Sequence, residues 1–96
     1  MGYKVILAPQ AFERLEQIVQ LIAKDNPDAA RRFGFKLLDR TDLLSTFPEL
    51  GREYRKRPGV RRLLCKPYFI YYRVKHETKV VEVMDFWHSA RREPEI

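Results

Sequence analysis

Residues 59–88 read GVRRLLCKPYFIYYRVKHETKVVEVMDFWH, and this stretch decides the fold. It is rich in β-branched and aromatic residues, and two polar breaks interrupt it, KP at 66–67 and HET at 76–78. Apolar runs of this kind between turn signals are typical of consecutive β-strands joined by tight turns. The stretch therefore predicts three antiparallel strands, over residues 60–65, 68–75 and 79–87.

The middle strand alternates in a way that assigns its two faces. Successive side chains of a strand point to opposite sides of the sheet, so every second residue shares a face. One face is predicted to carry Tyr68, Ile70, Tyr72 and Val74, and the other Phe69, Tyr71 and Arg73.

Residues 1–58 supply a further strand and two helices. Residues 3–7 (YKVIL) are apolar and β-branched and predict a strand, and Pro9 then fits the first turn of a helix. An apolar stripe at intervals of three or four residues predicts that this helix is amphipathic. Its members are Phe12, Leu15, Val19 and Ile22, with Ala11 and Ile18 beside them.

A second helix follows a clear start signal. Asn26 can cap it, Pro27 fits its first position, and Asp28 suits the positive end of the helix dipole. We predict that it continues to about Phe47 and that Gly34 allows the two helices to pack closely. The residues expected to be buried are Ala30, Phe33, Leu37, Leu44 and Phe47.

The predicted order is β-α-α-β-β-β, an α+β fold. Its economical packing is a helical hairpin on one face of a mostly antiparallel four-stranded sheet, which leaves the other face open. Residues 50–59 are predicted to form a basic loop closed by a Pro58-Gly59 turn. Residues 89–96 are polar, and we expect them to leave the sheet.

Length and composition bound the class of protein. The 96 residues allow a single domain, residues 1–96, and 45% hydrophobic with 33% charged residues is globular composition. No apolar run approaches the roughly 18 residues of a membrane span, and the N-terminal segment lacks a signal-peptide pattern. The single cysteine, Cys65, excludes an internal disulfide. We therefore expect a cytoplasmic protein with no membrane partner.

The net charge of +6 is concentrated in one run. A run of this kind is either a solvated face or a contact surface for an acidic partner or a nucleic acid. Two features favour contact: arginine suits bidentate binding of carboxylate or phosphate, and Tyr54 lies within the run. The basic residues of the run are Arg52, Arg55, Lys56, Arg57, Arg61 and Arg62.

The sequence also offers residues for metal-independent RNA cleavage. Such cleavage needs an acid, a base and cations around the phosphate. His88 is the candidate acid or base, and Glu53 and Glu82 are the nearest carboxylates. The candidate cations are Arg61, Arg62, Arg73 and Arg91. We expect His88 to lie on the open face with Arg61 and Arg73, while Trp87 faces the helices. Nucleotide-, dinucleotide- and metal-binding motifs are absent from the sequence, so no cofactor and no metal are expected.

The ordered set of segments resembles the RelE/ParE family of bacterial type II toxins. The segments are PQAFERLEQIVQLIAKDNPDAA (9–30), LLDRTDLLSTFPELGRE (37–53), GVRRLLCKPYFIYYRV (59–74) and VVEVMDFWHSARREPEI (80–96). The resemblance covers almost the whole chain and implies the same fold. It also implies a small growth-inhibiting toxin that forms a hetero-oligomer with an acidic, partly disordered antitoxin from the same operon. The residues expected to contact antitoxin or target are Arg52, Arg55, Lys56, Arg57, Arg62 and Arg92.

Two branches of that family imply different activities. RelE-like members cut mRNA on the ribosome, and Arg61, Arg73 and His88 match the residue types that they use. ParE-like members poison DNA gyrase. The ending WHSARREP resembles ParE-like and plasmid-stabilisation members, and the absence of any tyrosine after Tyr72 departs from the RelE pattern. The resemblance therefore favours gyrase over ribosome and mRNA as the target; a decayed toxin that only binds its antitoxin is a third reading.

Overall fold

A computed structural model describes residues 2–96, and within them the chain forms two helices and five strands. The three strands expected over the deciding stretch are present, each within about one residue of its predicted bounds. The elements in chain order are β1 Lys4–Leu7, α1 Pro9–Ala23, α2 Pro27–Thr46, β2 Arg52–Glu53, β3 Arg61–Cys65, β4 Tyr68–Lys75 and β5 Val80–His88.

The strands form one sheet in the order β1-β5-β4-β3-β2. β1 runs parallel to β5, with Lys4 opposite Val80, while the remaining neighbours are antiparallel. The predicted α+β class is confirmed, but the strand count was one too low. Residues 52 and 53, expected to lie in a loop, pair with Arg62 and Arg61 of β3. Two charged residues carry no β-strand signature, so only this pairing reveals β2.

Helix α1 buries its predicted apolar face, but the centre of that face lies at Ala11 and Ile18, the residues beside the predicted stripe. Ala11 and Ile18 are its fully buried residues, whereas the Phe12 side chain is 54% exposed. The smaller Ala11 occupies the position against the sheet, and this rotates Phe12 towards the surface. Leu15 and Ile22 still pack at the margin of the core.

Helix α2 begins as predicted. The Asn26 side-chain oxygen accepts a hydrogen bond from the Ala29 N–H at 3.0 Å, which satisfies a free donor of the first turn. The close approach at Gly34 is also confirmed, because a Cβ there would lie 3.2 Å from a Val19 methyl of α1. The expectation of a buried Phe47 was wrong: the helix ends at Thr46 and Phe47 is 56% exposed.

Both faces of the sheet carry apolar clusters. The main core lies between the sheet and the helices and includes Leu37, Ile70 and Tyr72. A second cluster, centred on Tyr54 and Tyr71, covers the opposite face. The predicted alternation of β4 is confirmed, but the face opposite the helices is not bare.

A β-bulge in β5 exchanges the faces of its last residues. Tyr71 pairs with Asp85 while Tyr72 pairs with Val83, so Met84 is an extra residue. One inserted residue reverses the alternation beyond it. Residues 86 and 88 therefore face the helices and residue 87 faces away.

No helix among residues 2–96 is both long and apolar enough to cross a membrane. In the same part of the chain, no group of three or more His, Cys, Asp or Glu side chains is arranged to hold a metal ion.

Candidate functional site

The basic segment after β2 folds into a turn held by its own backbone. The Tyr54 N–H donates to the Val60 carbonyl at 2.8 Å, and Gly59 closes the turn at φ 84°. The Tyr54 ring meets the Tyr71 ring edge to face, with 5.2 Å between ring centroids. The basic side chains of the segment are thereby placed beside the face of the sheet opposite the helices.

Arg62 lies at the centre of this surface. Its guanidinium carbon is 4.3 Å from the centroid of the Phe69 ring and 5.3 Å from that of Tyr54. A guanidinium nitrogen donates to the Tyr71 hydroxyl at 3.3 Å, and this hydrogen bond raises the pKa of Arg62. Burial raises the pKa of Tyr71, so its hydroxyl stays protonated at neutral pH. We call the surface formed by Tyr54, Lys56, Arg62, Phe69 and Tyr71 the aromatic–arginine groove.

The C-terminal residues lie across this groove. The Glu93 carboxylate contacts the Arg62 guanidinium at 3.3 Å and also forms an ion pair with Lys56. Ile96 packs against the Tyr54–Tyr71 cluster. Residues 89–96 leave the sheet as expected, since β5 ends at His88, but ionic and apolar contacts bring the end of this segment back across the face of the sheet.

Backbone contacts hold the same segment, which we call the tail (residues 92–96). The Trp87 indole N–H donates to the Arg92 carbonyl at 2.6 Å, and the Arg57 guanidinium donates to the Ile96 carbonyl. Three of the predicted contact residues, Lys56, Arg57 and Arg62, thus contact the tail. Arg52 and Arg55 line a hollow of about 450 Å³ on one side of Glu93, and the Arg92 side chain is exposed.

The structure does not bring Arg61, Arg73 and His88 together. Arg61 pairs with Tyr72 and so lies on the helix side of the sheet, whereas Arg73 lies on the opposite side. His88 pairs with Tyr68, four residues along β4 from Tyr72, and the bulge turns it towards the helices. The expected convergence on the open face, with Trp87 facing the helices, is therefore wrong in its geometry.

Arg61 and Arg73 each have a partner. Arg61 donates to the Gly51 carbonyl at 2.7 Å, and the Gly51 N–H in turn donates to the Tyr72 hydroxyl at 2.7 Å. Arg73 forms an ion pair with Glu82 at 2.9 Å, and this hydrogen bond lowers the pKa of Glu82. Arg61 therefore holds the chain that leads into β2, and Arg73 forms a cross-strand surface pair.

His88 lies instead in a cavity of about 340 Å³ between α1 and the end of β5. Its ring meets Tyr68 edge to face, and its Nδ1 accepts a hydrogen bond from the Ala90 N–H at 3.1 Å. Arg91 shares this cavity, and its guanidinium carbon is 5.3 Å from the centroid of the Trp87 ring. His88 and Arg91, both candidate catalytic residues, are thus neighbours.

Sequence reasoning missed two residues of this region. Arg14 of α1 covers the Trp87 ring at 4.8 Å and contacts the buried Asp85 carboxylate at 3.1 Å. Gln10 donates to the same carboxylate at 2.9 Å. The sequence signal for this contact is Asp85, an acid among the apolar residues VMDFW of the strand. A carboxylate buried there needs a partner on another element.

Comparison with known proteins gives a consistent picture. Residues 5–93 match the family model described as "ParE toxin of type II toxin-antitoxin system, parDE". The chain is also 32% identical over 88 residues to a Sinorhizobium fredii protein named "Putative toxin Y4kP", covering 91% of this chain and 88% of that protein.

Three solved structures share the fold. A chain of the chromosomal ParDE TA system from P. aeruginosa superposes with a TM-score of 0.77 at 21% identity, covering 90% of this chain and 95% of that one. The RelBE2 toxin–antitoxin complex from Mycobacterium tuberculosis gives 0.63 at 23% identity, covering 92% and 99%. The archaeal RelE–RelB complex from Pyrococcus horikoshii OT3 gives 0.65 at 20% identity, covering 96% and 100%.

Proposed function

Because the chain belongs to the ParE toxin family of type II toxin–antitoxin systems, we propose that it inhibits growth by contact with DNA gyrase and is neutralised by an acidic antitoxin. The observation that carries the choice of target is the separation of Arg61, Arg73 and His88. General acid–base catalysis needs its groups within hydrogen-bond reach of one substrate. A toxin that inhibits gyrase by binding to it needs a contact surface and no catalytic group. The basic residues of segment 52–62 provide such a surface in this chain.

The hydrogen-bonding state of His88 supports the same choice. Its Nδ1 is occupied as an acceptor from the Ala90 N–H, so a neutral ring carries its proton on Nε2. In that tautomer Nε2 is a hydrogen-bond donor, and the ring can take a proton from a 2′-hydroxyl only after the Nδ1 hydrogen bond breaks. A general base needs an unprotonated ring nitrogen that faces the substrate.

The alternative is a RelE-like, metal-independent mRNA endonuclease that acts on the ribosome. One observation favours it: His88 shares its cavity with the guanidinium groups of Arg14 and Arg91 and the ring of Trp87. An imidazole, two cations and an aromatic ring are what a nucleotide phosphate and its base would contact. The cavity is therefore the place where this second activity would reside.

Induced expression with separate pulse labels for DNA and protein synthesis distinguishes the two activities. We expect DNA synthesis to fall first, together with a DNA-damage response. His88→Ala should weaken toxicity only modestly, and truncation after Ser89 should weaken it more, because it removes Arg91 and Arg92. An early fall in protein synthesis, with a folded His88→Ala variant that is wholly non-toxic, would establish the endonuclease instead.

The antitoxin partner is supported by exposed apolar side chains on the helices as well as by the basic segment. Leu21 of α1 and Phe35 of α2 are each 60% exposed. A disordered partner that folds on binding gains most from covering such residues, while its acids meet the cations. We expect the affinity of the purified pair to fall with salt. An affinity indifferent to salt would exclude residues 52–62 as the contact.

A further inference from the structure

The end of the chain occupies the aromatic–arginine groove in the manner of a bound peptide. We propose that the tail is an intramolecular ligand of this groove, and that the external ligand of the groove is an extended acidic peptide that must displace the tail. The proposal rests on the proposed function in one respect, since an acidic antitoxin is the natural source of such a peptide. It adds a place for that peptide and a competitor that belongs to the toxin itself.

The contacts of the tail define what the groove recognises. Glu93 supplies a carboxylate to Arg62 and Lys56, and Ile96 supplies an apolar side chain to the Tyr54–Tyr71 cluster. The Arg92 and Ile96 carbonyls accept hydrogen bonds from Trp87 and Arg57, as any peptide backbone could. The groove therefore recognises an acid followed by an apolar residue on an extended backbone.

The groove extends beyond the tail on both sides of Glu93. A hollow of about 450 Å³ continues along Arg52 and Arg55, and another of about 190 Å³ continues towards Arg91. A longer peptide with several acids would fill these hollows and meet cations that the tail leaves exposed. The tail's ion pair with Lys56 is largely solvent-exposed, and exposed pairs contribute little to stability. The tail is thus replaceable by a peptide of the same chemistry.

The rings of the groove favour a peptide over a single-stranded nucleic acid. Bases bind such surfaces by stacking on an open ring face. Here the Arg62 guanidinium covers one face of Phe69, and Tyr71 is 1% exposed and meets Phe69 and Tyr54 edge to face. A carboxylate reaches Arg62 without needing a ring face, as Glu93 demonstrates.

The test uses a fluorescein-labelled peptide, RREPEI, which copies residues 91–96, and its Glu→Gln counterpart RRQPEI. Binding is measured to the full chain, to a chain ending at Ala90, and to full-length Glu93→Gln and Glu95→Gln. Glu95 is the matched control, because it is an exposed acid of the same tail with no ion pair within the described residues. The only tryptophan, Trp87, reports tail release through its fluorescence.

We expect RREPEI to bind the truncated chain about tenfold more tightly than the full chain, which is the factor for a groove that is open about a tenth of the time. Glu93→Gln should bind RREPEI more tightly than the full chain by a smaller factor, because its tail keeps the contacts of Arg92 and Ile96. Glu95→Gln should match the full chain, and RRQPEI should bind weakly throughout. If the truncated chain does not fold, the comparison of RREPEI binding to full-length Glu93→Gln and Glu95→Gln is sufficient to test the proposal.

Equal RREPEI binding to Glu93→Gln and Glu95→Gln would overturn the proposal. Tighter binding of a ten-nucleotide uridine RNA than of RREPEI to the opened groove would overturn it in favour of a nucleic-acid surface. Neither readout involves toxicity, so failure here leaves the pulse-label test of gyrase poisoning untouched, and the reverse also holds.

Discussion

Replacing Arg61 by alanine should unfold part of the protein, whereas replacing Arg73 by alanine should not. Arg61 donates a charged hydrogen bond of 2.7 Å to the Gly51 carbonyl, in a partly buried position. A hydrogen bond from a charged group contributes about 1.5–3 kcal/mol, and Arg61→Ala leaves that carbonyl without its partner. Arg73 forms an exposed pair with Glu82, and such pairs contribute about 0–1 kcal/mol.

These free energies convert into a measurable difference in melting temperature. For a chain of this size, 1 kcal/mol shifts Tm by about 4–8 °C, so Arg61→Ala should melt at least about 6 °C lower. By the same conversion Arg73→Ala should melt at most about 4–8 °C lower, and by less than Arg61→Ala. Thermal melts followed by circular dichroism check both, and Arg61→Lys is the control that keeps the charge but loses the planar guanidinium.

The toxicity of the same variants completes the test. If Arg61 supports β2 and has no catalytic part, Arg61→Ala should lose toxicity only in proportion to its unfolded fraction, and growth at lower temperature should restore it. An Arg61→Ala protein that melts normally yet is wholly non-toxic would refute the reasoning. That result would indicate that Arg61 acts on a substrate.

Three further predictions concern stability and the tail. Leu37→Ala, at a position with 0% exposure, should lower the free energy of unfolding by about 2–5 kcal/mol in denaturant titration, and a loss under 1 kcal/mol would contradict its place in the core. Gly34→Leu should cost about 1–3 kcal/mol by overpacking against Val19, and the double variant with Val19→Ala should recover part of that loss in the same assay. The hydrogen bond from Lys56 holds the pKa of Glu93 below its ordinary value of 4.5, so the tail contact should be complete above about pH 4.5 and lost as pH falls through the lowered pKa. Trp87 fluorescence between pH 7 and 3 should show this release of the tail. If a Glu93→Gln chain shows the same transition, the transition is caused by a group other than Glu93.

Local patterns in the sequence determined most of the fold. Strand and helix positions, the Asn26 cap and the two faces of β4 follow from turn residues, periodicity and capping chemistry within a few neighbouring residues. The match to the ParE family model covers residues 5–93 and so includes most of the segments that carry the resemblance to the RelE/ParE family. The close approach at Gly34 was also predictable, because a glycine inside a helix is costly unless a neighbour needs the space.

Long-range pairing decided what the sequence left open. The extra residue Met84 in β5 depends on its register against β4, and it exchanged the faces of Trp87 and His88. The register of β3 against β4 placed Arg61 opposite Tyr72, on the other face of the sheet from Arg73, and this pairing divided the expected catalytic set. Strand β2 exists only because β3 offers it a free edge, and β1 joins the sheet in parallel through a partner some 76 residues away (Lys4 opposite Val80). The return of Glu93 to Arg62 is likewise a contact between distant residues. Such contacts depend on three-dimensional proximity, which local propensity does not encode, so the tertiary structure alone revealed the groove and the tail that covers it.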